Sequence, residues 1–328
     1  MLEIIRYSEA EHRKGWDEFI SRSVNGNFLH SRAFYDHNPA NSEDDCSFLF
    51  FKKNKIVAVV PACLLHKEDK VVFQSHPRST FGGFVMGTEI GTVEAVELVG
   101  LLIAESKTLG AKEIIVRNPF RILNNRLADE TDYAMWYHGF SLLSRELEIA
   151  IELQPSVEII EKRFENGTKY NIKKAEKSVA TRLTDDFETF WNMLEKNLSD
   201  KHGKKPVHSL ADILRLRQLV GEENVLLFGG YTEGKMICGT VVFKFGNRAL
   251  HAQYIASDFA YQELRAINAV THYIIKWGHE QGFQYYNLGT ANEGGKVINE
   301  GLFHFKESFG GRGVLRETMH LILYKNEN

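Results

Sequence analysis

The stretch FLFFKKNKIVAVVPACLL, residues 48–65, decides the fold because a counterpart of it occurs later in the chain. The counterpart is LLFGGYTEGKMICGTVVFKF, residues 226–245. Each stretch has two apolar runs separated by turn residues, which are Lys-Asn in the first and Glu-Gly in the second. Apolar runs joined by such residues are typical of β-hairpins. The sequence therefore predicts one hairpin in each half of the chain.

Further matches flank the two hairpins and keep the same order along the chain. They pair Trp16 with Trp191, Leu29-His30-Ser31 with Val207-His208-Ser209, Gly110 with Gly282, and Arg145-Glu146 with Arg316-Glu317. The matched residues lie about 170 to 180 positions apart throughout. Loop insertions and deletions would produce small changes in this spacing, so we infer two related domains from an internal duplication.

Each domain reads as a strand, two helices, a hairpin, another strand, a longer helix and two final strands. In the longer helices apolar residues recur three and four positions apart, at Val96, Val99, Leu102 and Ile103 and at Ile267, Val270, Ile274 and Trp277. This spacing is typical of one buried helix face. Antiparallel hairpins combined with a helix-linked crossover predict an α/β fold with a mixed sheet (α+β). We place the two domains at residues 1–153 and 154–328.

Composition excludes several classes of protein. The chain has 328 residues, is 43% hydrophobic and carries a net charge of -3, so it suits globular domains and has no strong overall attraction to nucleic acid or anionic membranes. The N-terminus has acidic residues where a signal peptide needs basic ones, and no run of about eighteen apolar residues occurs. We therefore expect a cytoplasmic protein without a membrane span. Cys46, Cys63 and Cys238 are widely spaced, which suits buried reduced thiols.

A basic segment, KYNIKKAEKSVA, residues 169–180, follows the first domain and opens the second. A helix from about Thr168 would place Ile172, Ala175 and Val179 on one face and Lys169, Lys173 and Lys177 on the other. Either these lysines form a solvated cationic face, or they contact the phosphates of a partner such as tRNA. The sequence does not separate the two interpretations.

These features together resemble the FemAB/FemX family. The resemblance is carried by the duplicated unit, the YNIKKAEK helix, YYNLG at residues 285–289 and LFHFKESFGG at residues 302–311, and it covers almost the whole chain. The family consists of tandem members of the GCN5-related N-acyltransferase (GNAT) superfamily. The resemblance implies two tandem GNAT-like domains with the acyl-transfer site in or beside the second. In some relatives the last strand packs on the first domain, which here would concern residues 317–326.

The resemblance also implies an acyl donor and an amine-bearing acceptor, with no tightly bound cofactor. Well-studied members of the family move an amino acid from aminoacyl-tRNA to a cell-wall peptide precursor, whereas conventional GNAT domains use acetyl-CoA. The conventional domains bind the pyrophosphate through an (Arg/Gln)xxGxGx(Gly/Ala) turn whose backbone N–H groups face the anion. Tyr261, Gln262, Glu263 and Leu264 occupy that place here and do not fit the pattern. The donor is therefore either aminoacyl-tRNA or an acyl-CoA.

Lys306 lies among phenylalanines in GLFHFKESFGGRG, residues 301–313, and is the leading candidate for a catalytic cation. Acyl transfer to an amine passes through a tetrahedral oxyanion, and a cation in apolar surroundings attracts that charge strongly. The resemblance places the matching lysine close to the reaction centre, and we assign the neighbouring Phe305 to substrate binding. The alternative is a lysine on a strand edge whose stem covers an aromatic ring. Gly310 and Gly311 allow either a plain turn or a close approach of substrate.

The strand HAQYIASD, residues 251–258, supplies candidates for handling the proton of the amine. Tyr254 and Asp258 could relay that proton and are the other two catalytic candidates. Strict alternation sends His251 to the strand face opposite Tyr254, and we assign His251 to substrate binding. A core tyrosine is the structural alternative for Tyr254, and some relatives need no protein base.

Five further residues are assigned to substrate binding. Arg78 and His76 lie in a first-domain loop that the resemblance places at the acceptor cleft, where an arginine suits a carboxylate or phosphate. Arg265 and Asn268 begin the second long helix, where an anion is favourable. Asn287 ends a strand next to the place where GNAT strands separate. The structural alternatives are a surface ion pair for Arg78 and helix capping for Arg265 and Asn268.

The sequence thus predicts an N-acyltransferase that acts on a primary amine of a cell-wall (peptidoglycan) or surface-glycan precursor. Two alternatives stay open: an acetyl-CoA-dependent N-acetyltransferase of a small metabolite or nucleotide sugar, and a non-catalytic module that binds a glycan or nucleic acid. Other chemistry lacks the required spacing, since His202 and His208 have no obvious third metal ligand and no GxSxG occurs. We therefore expect no metal site. The sequence does not determine the oligomeric state.

Overall fold

A computed structural model describes residues 1–38, 44–67, 70–203, 205–293 and 296–324, without the side chains of Lys201, His202 and Glu293. Residues 325 and 326 of the predicted last strand lie outside the described part. The chain divides into two compact units, Met1–Glu146 with Leu315–Asn328 (unit 1) and Leu147–Val314 (unit 2). These limits differ from the predicted domain limits at residues 153 and 154. The strands Ser141–Glu152 and Arg312–Ile322 each contain residues of both units.

Unit 1 has the mixed order of helices and strands that the sequence predicts. Its elements are β1 (Glu3–Arg6), α1 (Glu9–Arg22), α2 (Arg32–Asp36), β2 (Phe48–Lys52), β3 (Lys55–Val60), β4 (Ala62–His66), β5 (Val71–Ser75), β6 (Val85–Met86), α3 (Thr92–Thr108), β7 (Glu113–Val116), α4 (Glu130–Tyr137) and the first part of β8 (Ser141–Glu152). Pro61 separates β3 from β4, as expected of a residue that cannot donate to a ladder. The parallel pair β5 and β7 is linked by the crossover helix α3.

Unit 2 repeats this plan. Its elements after β8 are α5 (Val157–Lys162), α6 (Asn166–Ala175), β9 (Ala180–Thr184), α7 (Phe187–His202), α8 (Leu210–Val220), β10 (Val225–Thr232), β11 (Lys235–Phe245), β12 (Ala249–Ser257), α9 (Ala266–Glu280), β13 (Tyr285–Thr290), β14 (Asn292–Glu293), β15 (Val297–Ile298), α10 (Glu300–Glu307) and β16 (Arg312–Ile322). The strand order is β8-β13-β12-β11-β10-β9, in which residues 148–152 supply the β8 ladder. Residues 319–322 of β16 pair with β7 in unit 1.

Both predicted hairpins are confirmed. Strand β2 pairs with β3 and β10 with β11, and both pairs are antiparallel. The turn residues Lys53, Asn54, Glu233 and Gly234 all have positive φ angles. Two successive residues in this region match the right-handed twist of the flanking strands, which is why Asn and Gly are favoured there.

The long helices bury the predicted stripes with one adjustment. Helix α9 buries Val270 and Ile274 in the core of unit 2, together with Phe228 and Tyr286. Helix α3 buries Ala95, Leu98, Val99 and Leu102 in the core of unit 1, whereas Val96 and Ile103 are half-buried at its border. The mixed α/β fold predicted from the hairpins and crossover is confirmed.

The basic segment is helical, and α6 begins two residues before the predicted start. Ile172, Ala175 and Val179 are buried, as predicted. Lys173 and Lys177 are exposed, whereas Lys169 is half-buried, and Lys177 follows the last helical residue. The described lysines therefore leave a cationic surface on this side of unit 2. Among the described helices, none is long and apolar enough to cross a membrane.

Candidate active site

The parallel strands β12 and β13 separate in the middle of unit 2. They pair only from Ala249–His251 to Tyr285–Asn287, although β12 continues to Ser257 and β13 to Thr290. His251 and Asn287 form the last pair, so they lie at the apex of the opening. Strands that part in this way leave backbone N–H and C=O groups on their facing edges, which a ligand can pair with.

A buried polar cluster lies at this apex. Asn287 is fully buried, and its Nδ2 lies 3.0 Å from Glu148 Oε2 on β8 and 3.0 Å from His251 Nδ1 on β12. Glu148 is 1% exposed and His251 is also buried. Three adjacent strands therefore each contribute one polar side chain. Burying such groups is costly unless they are paired, so the cluster is held by its own hydrogen bonds.

Lys306 approaches the same cluster from helix α10. Its side chain is 4% exposed, and Nζ donates a hydrogen bond of 2.5 Å to the backbone oxygen of Thr290. A Cβ atom on Gly289 would lie 3.8 Å from Lys306 Nζ and 3.8 Å from Glu148 Oε2, so this glycine leaves the space between the two charged groups open. Burial lowers the pKa of Lys306 to about 8, although the charge of Glu148 acts in the opposite direction.

The strand-edge alternative for Lys306 is wrong, because the residue lies in the last turn of α10. Gly310 and Gly311, which follow that helix, permit both a turn and tight packing. Gly310 has a φ of 74°, and a Cβ atom there would lie 2.7 Å from Arg163 Cβ. A Cβ atom on Gly311 would lie 2.5 Å from Ile149 Cγ2. The glycine pair therefore lets the end of α10 approach β8, which brings Lys306 towards Glu148.

A cavity of about 190 Å³ lies at the N-terminus of α9. Four of the residues assigned from the sequence line it, namely Asp258, Arg265, Asn268 and Phe305. Phe305 precedes Lys306 on α10, so one short helix contributes to both the cavity and the polar cluster. The first N–H groups of a helix have no partner within the helix, and the helix dipole makes this end electropositive. The cavity thus suits an anionic group.

Arg265 and Asp258 have local roles at the border of this cavity. Arg265 is the residue before α9 and has a φ of 54°, a left-handed conformation that costs free energy for any residue with a side chain. Asp258 accepts hydrogen bonds from Ala260 N and from Lys235 Nζ, at 3.1 and 3.0 Å. The Lys235 ammonium lowers the pKa of Asp258, which makes its carboxylate a weak proton acceptor. A catalytic role for Asp258 stays a prediction.

Tyr254 lies further along β12 than His251. Its hydroxyl is 2.5 Å from His208 Nδ1, and its ring meets the ring of Trp191 on α7 nearly at right angles. Burial raises the pKa of Tyr254 to about 12, so the hydroxyl stays protonated at neutral pH. Its catalytic role also stays a prediction.

The predicted separation of His251 and Tyr254 onto opposite strand faces is wrong. The ladder between β11 and β12 shifts register at Val241 and Val242, whose partners are Tyr254 and Ala252, so Gln253 is an extra residue. Leu250 and Ala252 belong to the core that contains α9, which turns His251 away from that helix. The bulge then turns Tyr254 the same way, towards α7.

The two first-domain residues lie in unit 1 with partners of their own. Arg78 forms an ion pair with Asp44 at 2.8 Å. His76 is buried, and its Nε2 lies 2.9 Å from the backbone oxygen of Leu29. Burial lowers the pKa of His76 to about 3, which keeps the ring neutral. Neither role in substrate binding is tested by these contacts.

Unit 1 offers an internal comparison, because its strands β5 and β7 also pair in parallel over three residues. Just beyond that pair the cavity has a volume of only about 10 Å³ and is lined by residues that include His76, Phe81 and Arg117. This is room for about one water molecule. This cavity is much smaller than the cavity of about 190 Å³ at the N-terminus of α9 in unit 2.

Two residues of the site escaped the sequence analysis. Glu148 lies on a strand 139 positions before its partner Asn287, and nothing in SRELEIAIEL distinguishes a buried carboxylate from a solvated one. Gly289 lies inside the YYNLG motif, where the glycine itself was the available signal for a close approach, and its φ is 78°. Within the described residues, no group of three or more His, Cys, Asp or Glu side chains could hold a metal ion.

Part of the chain matches a known domain type. Residues 162–307 match the model of the Acetyltransferase (GNAT) domain family. No curated protein sequence matches the chain significantly. Among solved structures, FemX superposes with a TM-score of 0.70 at 12% identity and covers 98% of this chain and 97% of its own.

Two further solved structures show the same fold over nearly the whole chain. The C-terminal domain of a putative lysylphosphatidylglycerol synthetase from Agrobacterium fabrum has a TM-score of 0.60 at 12% identity, covering 95% of this chain and 92% of its own. A tandem GNAT protein from the clavulanic acid biosynthesis pathway has a TM-score of 0.51 at 9% identity, and both chains are covered completely. The predicted tandem GNAT fold and the resemblance to FemX are confirmed: residues 162–307 match the GNAT acetyltransferase domain model, and the whole chain has the fold of FemX and of a tandem GNAT protein.

Proposed function

We propose that this acyltransferase moves an acyl or aminoacyl group onto a primary amine of a cell-wall (peptidoglycan) or surface-glycan precursor in the cytoplasm. The observation that supports the proposal most directly is the opening between β12 and β13, with a buried ammonium group beside it. Lys306 is held next to this opening by its bond to Thr290. The cavity beside the β5–β7 pair of unit 1 has a volume of only about 10 Å³, whereas the cavity at the N-terminus of α9 has about 190 Å³, so unit 2 is the catalytic unit of the proposal.

In the proposed reaction the neutral amine attacks the acyl carbonyl directly, without a covalent enzyme intermediate. A C–N bond forms, the carbonyl oxygen becomes an oxyanion, and the bond from carbon to the donor's sulfur or oxygen then breaks. The amine's proton leaves during this sequence, to water or to a group of the site. The Lys306 ammonium stabilises the oxyanion, and its burial away from water strengthens that attraction.

The cavity at the N-terminus of α9 is the proposed donor site. Both donor classes, an acyl-CoA and an aminoacyl-tRNA, carry phosphate groups, which helix N-termini favour. Tyr261 and Gln262 border the cavity and belong to the stretch that takes the place of the conventional glycine-containing turn, and their side chains restrict the approach of a pyrophosphate to the backbone. This departure favours aminoacyl-tRNA over acetyl-CoA.

The lysines of and after α6 supply the proposed contact with tRNA. Lys173 and Lys177 are exposed, Lys174 beside them is also exposed, and the aromatic ring of Tyr170 is 69% exposed on the same helix. Cations that follow a phosphate backbone, together with an aromatic ring on which a base can stack, are typical of contacts with single-stranded nucleic acid. The single-stranded 3′ end of a charged tRNA has this chemistry.

The first experiment measures donor binding and transfer with the full chain. Aminoacyl-tRNA is expected to raise the melting temperature more than acetyl-CoA does, and a labelled amino acid should pass to the lysine amine of a peptidoglycan precursor peptide. Lys306→Met should abolish transfer. Binding of neither donor, with no effect of Lys306→Met on any activity, would instead support the glycan- or nucleic-acid-binding module.

A second experiment tests the cationic helix. The triple variant Lys169→Glu, Lys173→Glu, Lys177→Glu should weaken tRNA binding and make it less dependent on salt concentration, because fewer counterions are released. The triple variant Lys14→Glu, Lys55→Glu, Lys107→Glu changes the same charge at exposed lysines of unit 1 and is expected to leave tRNA binding nearly unchanged. If both triple variants lose the same affinity for tRNA, the loss reflects the change in net charge and not a contact at this helix.

The second candidate is an acetyl-CoA-dependent N-acetyltransferase, and the match of residues 162–307 to the acetyltransferase domain favours it. In that case acetyl-CoA alone raises the melting temperature and uncharged and charged tRNA do not. The same Lys306→Met variant should then abolish acetyl transfer to a small amine.

A further inference from the structure

The amide of Asn287 is hydrogen-bonded on every side. Gly289 N donates to Asn287 Oδ1 at 2.9 Å, while Asn287 Nδ2 lies 3.0 Å from Glu148 Oε2 and 3.0 Å from His251 Nδ1. The side chain is fully buried, so water does not compete for these bonds. Such complete pairing of a buried amide fixes its position in the strand.

The orientation of this amide follows from its partners. A backbone N–H group only donates, so the atom that faces Gly289 N must be the amide oxygen. The NH₂ group therefore faces Glu148 and His251, with one hydrogen for each. Because an amide nitrogen does not accept hydrogen bonds, His251 Nδ1 must be the acceptor. The proton of the neutral His251 ring then lies on Nε2.

The hydrogen-bonded side chains of Glu148, Asn287 and His251 lie where two strands of the sheet separate. His251 and Asn287 form the last pair before β12 and β13 separate, and Glu148 lies beside the space that Lys306 enters. A hydrogen-bonded row across three strands therefore connects the carboxylate next to Lys306 with the imidazole at the apex of the opening. The row lies on the strand faces turned away from the α9 core.

We propose that Asn287 is a positioning residue for acyl transfer. It holds His251 neutral with its proton on Nε2, so that His251 enters the reaction as an N–H donor to a substrate oxygen and does not accept the amine's proton through Nδ1. The proposal deepens the function proposed above and rests on it for the reaction itself. Its structural part, the proton position on His251, can be measured without any substrate.

The first test is NMR spectroscopy of the full chain labelled with ¹⁵N-histidine. The His251 signals are identified by their loss in His251→Gln. Two-bond correlations should show a neutral ring protonated at Nε2 at pH 7.5. A ring protonated at Nδ1, or at both nitrogens, would overturn the proposal, whatever the protein turns out to catalyse.

The second test exchanges the two partners by the double variant Glu148→Gln, Asn287→Asp. The exchange keeps one amide and one carboxylate buried, so the number of buried charges is unchanged and the variant is expected to fold. His251 Nδ1 then faces a carboxylate oxygen, which accepts hydrogen bonds only, and the ring proton should move to Nδ1. Loss of the N–H donor at Nε2 should lower kcat about 100-fold with a smaller change in KM.

Two single variants complete the design. Glu148→Gln keeps an acceptor oxygen for Asn287 and should leave the proton of His251 on Nε2. Tyr286→Phe alters the neighbouring buried residue of β13, which faces the α9 core, and should change neither the His251 signals nor kcat. If the double variant moves the proton but keeps the wild-type kcat, Asn287 does not position His251 for the reaction.

Discussion

Lys306 Nζ donates a hydrogen bond to the backbone oxygen of Thr290, which ties helix α10 to the end of strand β13. A lysine has three donor hydrogens, and burial makes unused ones costly, so this bond fixes the ammonium group beside the opening. A flexible surface lysine would lose side-chain entropy on binding an oxyanion. Lys306 has already lost it in the folded state, which suits a preorganised catalytic group.

The pH dependence of transfer should report the charge of Lys306. Its pKa is lowered to about 8, so the side chain is mainly cationic below pH 8 and becomes neutral above it. If the cation stabilises the oxyanion, kcat should fall as pH rises through about 8. Lys306→Arg keeps a cation at all accessible pH values and should shift this fall to higher pH. Rate measurements between pH 6 and 10 provide the test.

The matched control for Lys306 is Lys276, an exposed lysine on α9. Lys306→Met should lower kcat about 100-fold or more, whereas Lys276→Met should have no effect. A pH profile that is identical for wild type and Lys306→Arg would mean that another group titrates, and the role of Lys306 as the titrating cation would be rejected.

Arg265 should show opposite effects on stability and on donor binding. Its φ of 54° is strained for a residue with a Cβ atom, so Arg265→Gly is expected to relieve about 1 kcal/mol and to raise the free energy of unfolding by part of that amount. The same change removes a cation from the proposed phosphate site and should weaken donor binding about 10-fold. Urea unfolding and titration with the donor measure the two effects.

Glu233 provides the control for this prediction, because its φ of 50° lies in the same conformational region. It occupies the β10–β11 turn and is not among the residues that line the cavity. Glu233→Gly should stabilise the fold to a similar extent and leave donor binding unchanged. Arg265→Gly with normal donor binding would show that this arginine does not contact the donor.

The parts of the fold that the sequence predicts are those with strong local signals. The two hairpins follow from turn residues between apolar runs, and α9 follows from a stripe of three- and four-residue spacing. Helix α10 was ambiguous because LFHFKES is short and apolar on more than one face, and such a segment fits a strand or a helix. Its assignment depends on packing against β8, which the local sequence does not encode.

The sequence identifies some residues of the site but not how they are arranged. Asn287 and Lys306 were identified from motifs, but Glu148 comes from a distant strand and had no local signal. The relation between His251 and Tyr254 was inverted by one bulge residue, Gln253, since a single insertion moves every later side chain to the other face. A prediction that assumes strict alternation along a strand cannot detect such a bulge.

Acid should destabilise unit 1 through two buried histidines. Burial lowers the pKa of His30 to about 4 and that of His76 to about 3, from an ordinary value of 6.5. The unfolded state therefore binds more protons between about pH 6.5 and 4, so the stability that is fully present above pH 6.5 decreases as pH falls. Each histidine should cost roughly 1 to 2 kcal/mol by pH 5.

The carboxylate of Asp132 acts in the opposite direction. Burial raises the pKa of Asp132 to about 6, so the folded state takes up this proton first and gains stability as pH falls from about 6 towards 4. Urea unfolding at pH 7.5 and 5 measures the net effect. His76→Asn removes one of the two titrating rings and should flatten the pH dependence, and Asn is chosen because it tolerates the positive φ of this position. His66→Asn changes an exposed histidine and should leave the pH dependence unchanged. Equal slopes in both variants would contradict the assignment to His76.

An alanine substitution at Gly289 tests the space beside Lys306, and the same substitution at Gly282 is its control for backbone strain. Gly289 and Gly282 have φ angles of 78° and 81°, so an alanine at either position should cost about 1 kcal/mol of stability. At Gly282 nothing lies within 4 Å of the added methyl group, whereas at Gly289 the methyl would lie 3.8 Å from both Glu148 Oε2 and Lys306 Nζ. Gly289→Ala should therefore lower kcat at least 10-fold by filling the space between the two charged groups, while Gly282→Ala should lower the melting temperature alone. Steady-state kinetics and thermal unfolding of the two variants provide the test. If both variants lose the same stability and have the same kcat, substrate does not enter this space. The reaction centre would then have to lie elsewhere along β12.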